Sequence, residues 1–211
     1  MAEPFTTLRS RAVRLAAGNI DTDQIVPARF MRTPRSEGYG NFLFHDLRFD
    51  AEGKPIVDFP LNGADAPDAH ILIAGKNFGC GSSREAAVYA LFDFGIRCVI
   101  APSFSDNFKA NCAKNGLLPV SLPEAELDRL LEDGVVSDLI EVDLRRQTVK
   151  RNGREAGFVI DAFAKESLLT GLDEIDMTLR HHSEIARFQE QHFARYPWLD
   201  IKLQAPTNSS F

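Results

Sequence analysis

Between residues 70 and 120 the chain repeats one pattern, a short apolar run followed by a turn and a helix-length segment. The runs are His70-Ile71-Leu72-Ile73-Ala74, Arg97-Cys98-Val99-Ile100-Ala101 and Leu117 to Val120. They are too short for helices and too continuously apolar for half-exposed strands, which is how strands buried on both faces read. The segments between them, from Arg84 to about Phe94 and from Pro102-Ser103 to Lys114, have helical length. Gly95 and Asn115-Gly116 stop them. A β-α-β-α-β order calls for right-handed crossovers and a largely parallel core sheet covered by helices, an α/β fold.

The flanks are read around that centre. Residues 12–17 alternate polar and apolar and predict a strand. A turn follows, Gly18-Asn19-Ile20-Asp21-Thr22-Asp23, and then the apolar piece Ile25-Val26-Pro27. Residues 28–68, rich in Gly, Pro, Asp and Arg, show no sustained helical period and predict a long ordered excursion, which compact domains keep for function. Beyond residue 120 the pattern predicts a helix from Pro123-Glu124 to about Leu131 and strands at 140–144, 147–150 and 157–160. Asn152-Gly153 reads as a hairpin turn. Helices are expected at 162–169 and 183–196, with a frayed tail at 204–211. No linker interrupts the chain, so residues 1–203 are expected to form a single domain.

Charge and composition exclude several roles. A net charge of -6 argues against a general nucleic-acid or membrane-surface function, because phosphate-facing surfaces need excess Lys and Arg. No apolar run approaches the roughly 18–20 residues of a membrane span. The start, MAEPFTTLRSR, lacks the apolar middle of a secretion signal, so a cytoplasmic location is expected. The three cysteines, Cys80, Cys98 and Cys112, are odd in number and form no C-x-x-C pair. They read as reduced thiols rather than a disulfide framework or a cluster-ligand set.

The stretch richest in chemistry is Asn77-Phe78-Gly79-Cys80-Gly81-Ser82-Ser83-Arg84-Glu85. Asn77, Gly79 and Gly81 support a tight loop, since glycine admits positive φ and close backbone approach. Ser82 or Ser83 is expected to N-cap the helix that follows. Two hydroxyls and the first free amides of a helix then face one spot, where the positive end of the dipole favours an anion. Arg84 adds a planar fork for a carboxylate. The same pattern also describes a plain strand-to-helix connection. It is neither G-x-x-x-x-G-K-[ST] nor G-x-S-x-G. Cys80 has no neighbouring histidine and reads as a small buried thiol rather than a nucleophile.

At these residues the chain resembles the small subunit of 3-isopropylmalate dehydratase, in the aconitase superfamily. Besides the 77–85 loop, the resemblance is carried by Ile100-Ala101-Pro102-Ser103-Phe104-Ser105-Asp106 and Asn115-Gly116-Leu117-Leu118-Pro119. Asn19-Ile20-Asp21-Thr22-Asp23-Gln24-Ile25-Val26-Pro27 carries it near the start, and Ile160-Asp161-Ala162-Phe163 with Gly171-Leu172-Asp173 near the end. It covers about residues 8–190.

The resemblance implies a swivelling β/β/α domain that closes over a cluster-bearing large subunit. It also implies a hydro-lyase that isomerises 2-isopropylmalate and 3-isopropylmalate by dehydration and rehydration, in leucine biosynthesis. A [4Fe–4S] cluster would be held by the large subunit and no metal by this chain. By resemblance, Ser82 is the catalytic base and Asp23 a supporting catalytic acid group. Arg84 binds a substrate carboxylate and Ser83 assists. Within residues 28–46, where the family sets substrate selectivity, Arg32 is the candidate for a second carboxylate contact. Arg29 and Arg35 can reach a carboxylate or remain exposed charges, and Phe30, Met31 and Phe42 can face an alkyl group or fill the core. Many members carry histidine where this chain has Ala86, which is expected to remove a hydrogen-bonding group near the site. That departure keeps a methyl- or dimethyl-substituted malate or maleate hydratase as an alternative. A non-catalytic carboxylate-binding module is a further one.

Overall fold

The computed structural model describes residues 3–63, 66–132 and 139–199. Its contacts separate into two compact units, Met1–Asp173 and Glu174–Phe211.

The first unit is organised by β1 (Thr7–Leu15), β2 (Ala69–Ala74), β3 (Cys98–Ala101) and β4 (Leu118–Ser121). Between β1 and β2 lie the short helices α1 (Thr22–Ile25) and α2 (His45–Arg48). The helices α3 (Glu85–Phe94), α4 (Asp106–Lys114) and α5 (Glu124–Leu131) follow β2, β3 and β4 in turn. The chain then forms β5 (Ile140–Asp143), β6 (Thr148–Arg151), β7 (Arg154–Gly157) and α6 (Ala162–Thr170). The sheet order is β4-β3-β2-β1-β5-β6-β7. Strands β1 to β4 pair in parallel, and β5 to β7 extend the sheet as an antiparallel meander from the first half of β1.

The parallel half is buried on both faces, as the apolar runs require. Along β2, Leu72 and Ala74 join one core with α3, α4 and the 28–68 excursion. Ile71 and Ile73 join the other, with α5, α6 and the meander. Ile71, Leu72 and Ile73 are at most 1% exposed. Each such side chain contributes about 1.5–3 kcal/mol, more than the roughly 1 kcal/mol span of strand propensities, so burial sets the strand.

Several boundaries differ from the sequence-based expectation. The first strand lies at Thr7–Leu15 rather than 12–17. Its early residues pair with β5, its later ones with β2, and a register irregularity falls at Arg11/Ala12. Changing partners midway blurs the alternation. The last strand is Arg154–Gly157, not 157–160, because the Asn152-Gly153 turn (φ 47° and 75°) returns the chain at once. The helix expected from Pro102-Ser103 starts at Asp106, where Ser105 Oγ accepts from the Phe108 amide (3.3 Å). The described residues of the excursion form successive 3-10 turns plus α2 and bury Tyr39, Leu43, Phe44 and Leu61.

The second unit contains α7 (Glu174–Leu179), not anticipated from the sequence, and α8 (His182–Arg195), with a 3-10 turn at Pro197–Leu199. On α8 the His192 ring lies between Phe188 (5.3 Å) and Tyr196 (5.1 Å). The expected tail at 204–211 lies outside the described residues. No helix among the described residues is long and apolar enough to cross a membrane.

Candidate active site

The site forms where three parallel strands end. Past β1, β2 and β3 the chain segments continue side by side without regular strand geometry. Gly79 N–H donates to the Ile20 carbonyl (2.8 Å) and Thr22 N–H to the Cys80 carbonyl (3.0 Å). On the other flank Phe78 N–H donates to the Ser103 carbonyl (3.0 Å) and Ser105 N–H to the Phe78 carbonyl (3.1 Å). Ligands in open α/β sheets bind at this carboxyl edge.

The three segments fold locally for identifiable reasons. Asp21 and Gln24 form a capping box: Asp21 Oδ1 accepts from Gln24 N–H (2.7 Å) and Gln24 Oε1 from Asp21 N–H (2.9 Å). That reciprocal pair turns the Asn19–Asp23 stretch into the start of α1 and presents Thr22 and Asp23 to the loop. Asn77, Gly79 and Gly81 all hold positive φ (58°, 71° and 87°). The role expected for them, shaping the loop, has this conformational basis. At Gly79 a Cβ would overlap the Phe108 ring, so only glycine fits. Asn77 Nδ2 also donates to Asn19 Oδ1 (2.9 Å), and Ser105 Oγ donates to the Gly79 carbonyl (2.5 Å). Phe78, Phe104 and Phe108 pack as a ring cluster beneath.

Residues 82–85 project from this base. Ser82 and Ser83 are exposed. Neither caps the helix as expected: the N-cap is Arg84, and no side chain caps α3. Displacing the cap by one residue leaves the hydroxyls free for other partners. Thr22 Oγ1 donates to the Ser82 carbonyl (2.8 Å), while Ser82 Oγ makes no hydrogen bond among the described residues. Arg84 pairs with Asp23, the guanidinium recessed (15% exposed) and the carboxylate at the surface (53%). On the opposite side Asn111 Nδ2 reaches Ser83 Oγ (3.5 Å), and Asn115 Nδ2 donates to Glu85 Oε1 (2.8 Å). Burial, with a hydrogen bond to Glu85, raises the Tyr89 hydroxyl pKa.

Sequence reasoning brought out Ser82, Ser83, Arg84 and Asp23, and the structure places them together. It missed Thr22, Asn111 and Asn115. The latter two carry a faint signal, polar residues four apart on a helix whose buried side is Phe108 and Cys112. Arg32 stands on the 3-10 turn Ala28–Arg32, exposed, with no hydrogen bond or ion pair among the described residues. Its neighbours are engaged: Arg29 Nη1 holds Asp46 (2.8 Å) and Arg35 holds Asp93 (2.8 Å). Phe30 and Phe42 stack on each other (4.3 Å) against the core, and Met31 is 45% exposed. Ala86 lies in the core at 9% exposure.

The thiols do not assemble. Cys98 and Cys112 are fully buried, on β3 and α4, and burial pushes both well above the ordinary thiol range. Cys80 is part-exposed in the loop. No three His, Cys, Asp or Glu side chains among the described residues converge as a metal-ligating group. The described residues of this chain therefore do not fit an iron–sulfur cluster.

The chain is similar to known proteins over nearly its whole length. The family described as Aconitase C-terminal domain matches residues 2–125, and the family of C-terminal domains of 3-isopropylmalate dehydratase small subunits matches 174–202. The 3-isopropylmalate dehydratase small subunit of Paramagnetospirillum magneticum is 47% identical over 200 residues, 93% of this chain and 100% of the relative. That of Caulobacter vibrioides is 48% identical over 198 residues, 93% of this chain and 98% of the relative. A crystal structure of 3-isopropylmalate dehydratase from Methanocaldococcus jannaschii superposes with a TM-score of 0.62 at 25% identity, covering 86% of this chain and 98% of that one. Likeness of this extent, over nearly the full length of both partners, means that the chain belongs to the family of 3-isopropylmalate dehydratase small subunits.

Proposed function

We propose that this chain is the small subunit of a two-subunit hydro-lyase that interconverts 2-isopropylmalate and 3-isopropylmalate, a cytoplasmic step of leucine biosynthesis. The observation that carries the chemistry is the exposed hydroxyl of Ser82, without a hydrogen bond among the described residues and followed directly in the loop by Ser83 and Arg84. In dehydration the carbon-bound proton moves to the Ser82 alkoxide and the hydroxyl leaves the neighbouring carbon as hydroxide. Solvent gives the hydroxide a proton and takes one back from Ser82, so the net products are an alkene and water and the base is restored. Readdition in the opposite sense completes the isomerisation. A serine is a competent base only as its alkoxide, and the adjacent helix start and the Arg84 guanidinium stabilise negative charge there. Arg84, assisted by Ser83, grips one substrate carboxylate, and Arg32, exposed and without an ion pair among the described residues, is the candidate for the second. Asp23 orients Arg84.

The [4Fe–4S] cluster of the reaction belongs, in this reading, to a large-subunit partner, since the described residues of this chain offer it no ligand set. The likeness to 3-isopropylmalate dehydratase small subunits over nearly the full chain favours this reading over the methyl-substituted malates that Ala86 kept open. The test is reconstitution. The purified chain alone should show no turnover, and mixing it with a cluster-bearing large subunit should give activity on 2-isopropylmalate above that on methyl- and dimethyl-malates. Turnover by the isolated chain, or preference for a methyl-substituted substrate, would overturn the reading.

A further inference from the structure

Residues 82–85 are gripped one after another from two sides. From α1, Thr22 takes the Ser82 carbonyl and Asp23 takes Arg84. From α4, Asn111 takes Ser83 Oγ and Asn115 takes Glu85. The α4 pair is not explained by packing, which uses Phe108 and Cys112. Asn115 is the C-cap of α4, but helix stability does not favour asparagine at Asn111, inside the helix. Asn111 and Asn115 sit four residues apart, on one flank of the helix, and both amides are directed at the loop. Asn115 Nδ2 also donates to the Asn111 carbonyl (2.9 Å), within the end of α4, while its bond to Glu85 ties that end to the start of α3.

A serine hydroxyl has one proton to give and lone pairs to accept with. When the Asn111 amide donates into Ser83 Oγ, the serine's own hydrogen is turned away from α4, toward the exposed side of the loop. A carboxylate arriving there is a pure acceptor. We propose that Asn111 is a positioning residue for substrate binding, which commits the Ser83 hydroxyl to donate to the carboxylate that Arg84 holds. At 3.5 Å the Asn111–Ser83 contact is long, and a carboxylate accepting from Ser83 would polarise the chain of donors and draw it shorter. The inference rests on the reading that Ser83 and Arg84 bind substrate.

The test is a double-mutant cycle in the reconstituted enzyme, with 2-isopropylmalate as substrate: Asn111→Ala, Ser83→Ala and the pair together. Removing one hydrogen bond to a charged partner should raise KM about tenfold in each single variant, with kcat changed less than about threefold. The double variant should be no worse than Ser83→Ala alone, because Asn111 acts through that hydroxyl. Asn111→Asp has the same shape but accepts instead of donating, so its KM should rise at least as far as that of Asn111→Ala. It also serves as the informative variant if alanine impairs folding. Additive effects in the double variant, or a wild-type KM for either Asn111 variant, would overturn this inference while leaving the function standing. A wild-type KM for Ser83→Ala would overturn both it and the assignment of Ser83 to the substrate.

Discussion

Thr22 Oγ1 donates to the carbonyl of Ser82 at 2.8 Å, joining residues 60 positions apart in sequence and fixing the height of the loop over α1. Thr22 is 2% exposed, so this hydroxyl is shielded from competing solvent. Thr22→Val keeps the shape and removes the donor. The variant should lose about 1 kcal/mol of stability in denaturant unfolding. It should lose more in turnover, about tenfold or beyond, since small displacements of reacting groups are costly.

Two glycines with positive φ, Gly79 in the loop and Gly53 in the excursion, separate two physical effects. At Gly79 a side chain meets both a positive φ of 71° and the Phe108 ring. At Gly53, φ is 77° with nothing within 4 Å of a built Cβ. Gly53→Ala should cost about 1–2 kcal/mol, the strain of left-handed backbone alone. Gly79→Ala should cost that plus about 1–3 kcal/mol of overpacking. Equal losses in thermal unfolding would contradict the close approach of Phe108.

The Asp23–Arg84 pair sets the direction of the guanidinium. Asp23→Asn keeps the volume and withdraws the charge that orients the fork. A drop in kcat/KM of about ten- to a hundredfold is expected, or roughly 1.4–2.8 kcal/mol of transition-state stabilisation. Arg84→Lys retains a positive charge yet loses two-pronged geometry, and KM should rise about tenfold or more. A lysine variant with native KM would show that charge alone suffices.

Burial raises the thiol pKa of Cys98 and Cys112, so the reactive thiolate is suppressed in the folded chain at any pH near the ordinary thiol value of about 8.5. Cys80 is part-exposed in the loop. A colorimetric thiol reagent should therefore titrate one cysteine quickly in the native isolated chain. All three should react after denaturation. Rapid native reaction of two or three would contradict the packing of β3 and α4.

How much was legible in the sequence follows from where each signal lives. The parallel strands at 70–74 and 97–101 were readable because burial on both faces forces a continuous apolar run. The first half of β1, with Arg9 and Arg11 among its residues, and the short β7, Arg-Glu-Ala-Gly, were not, because antiparallel strands with an open face tolerate charge. At the site, Ser82, Ser83 and Arg84 declared themselves by concentration in one loop. The partners that hold them did not: Asn111 lies 28 positions from Ser83 and Thr22 60 from Ser82, and only the fold brings them together. The helix cap was misassigned because a serine one residue early is indistinguishable in sequence from a serine in place.

The measurement that bears most directly on the account is the turnover of Ser82→Ala in the enzyme reconstituted with its large subunit, alongside its circular dichroism and the association of the two chains. Loss of a catalytic base should lower kcat by about 10²–10⁴-fold while fold and association stay unchanged. Near-normal turnover with an intact fold would remove Ser82 from the chemistry and contradict the account at its centre.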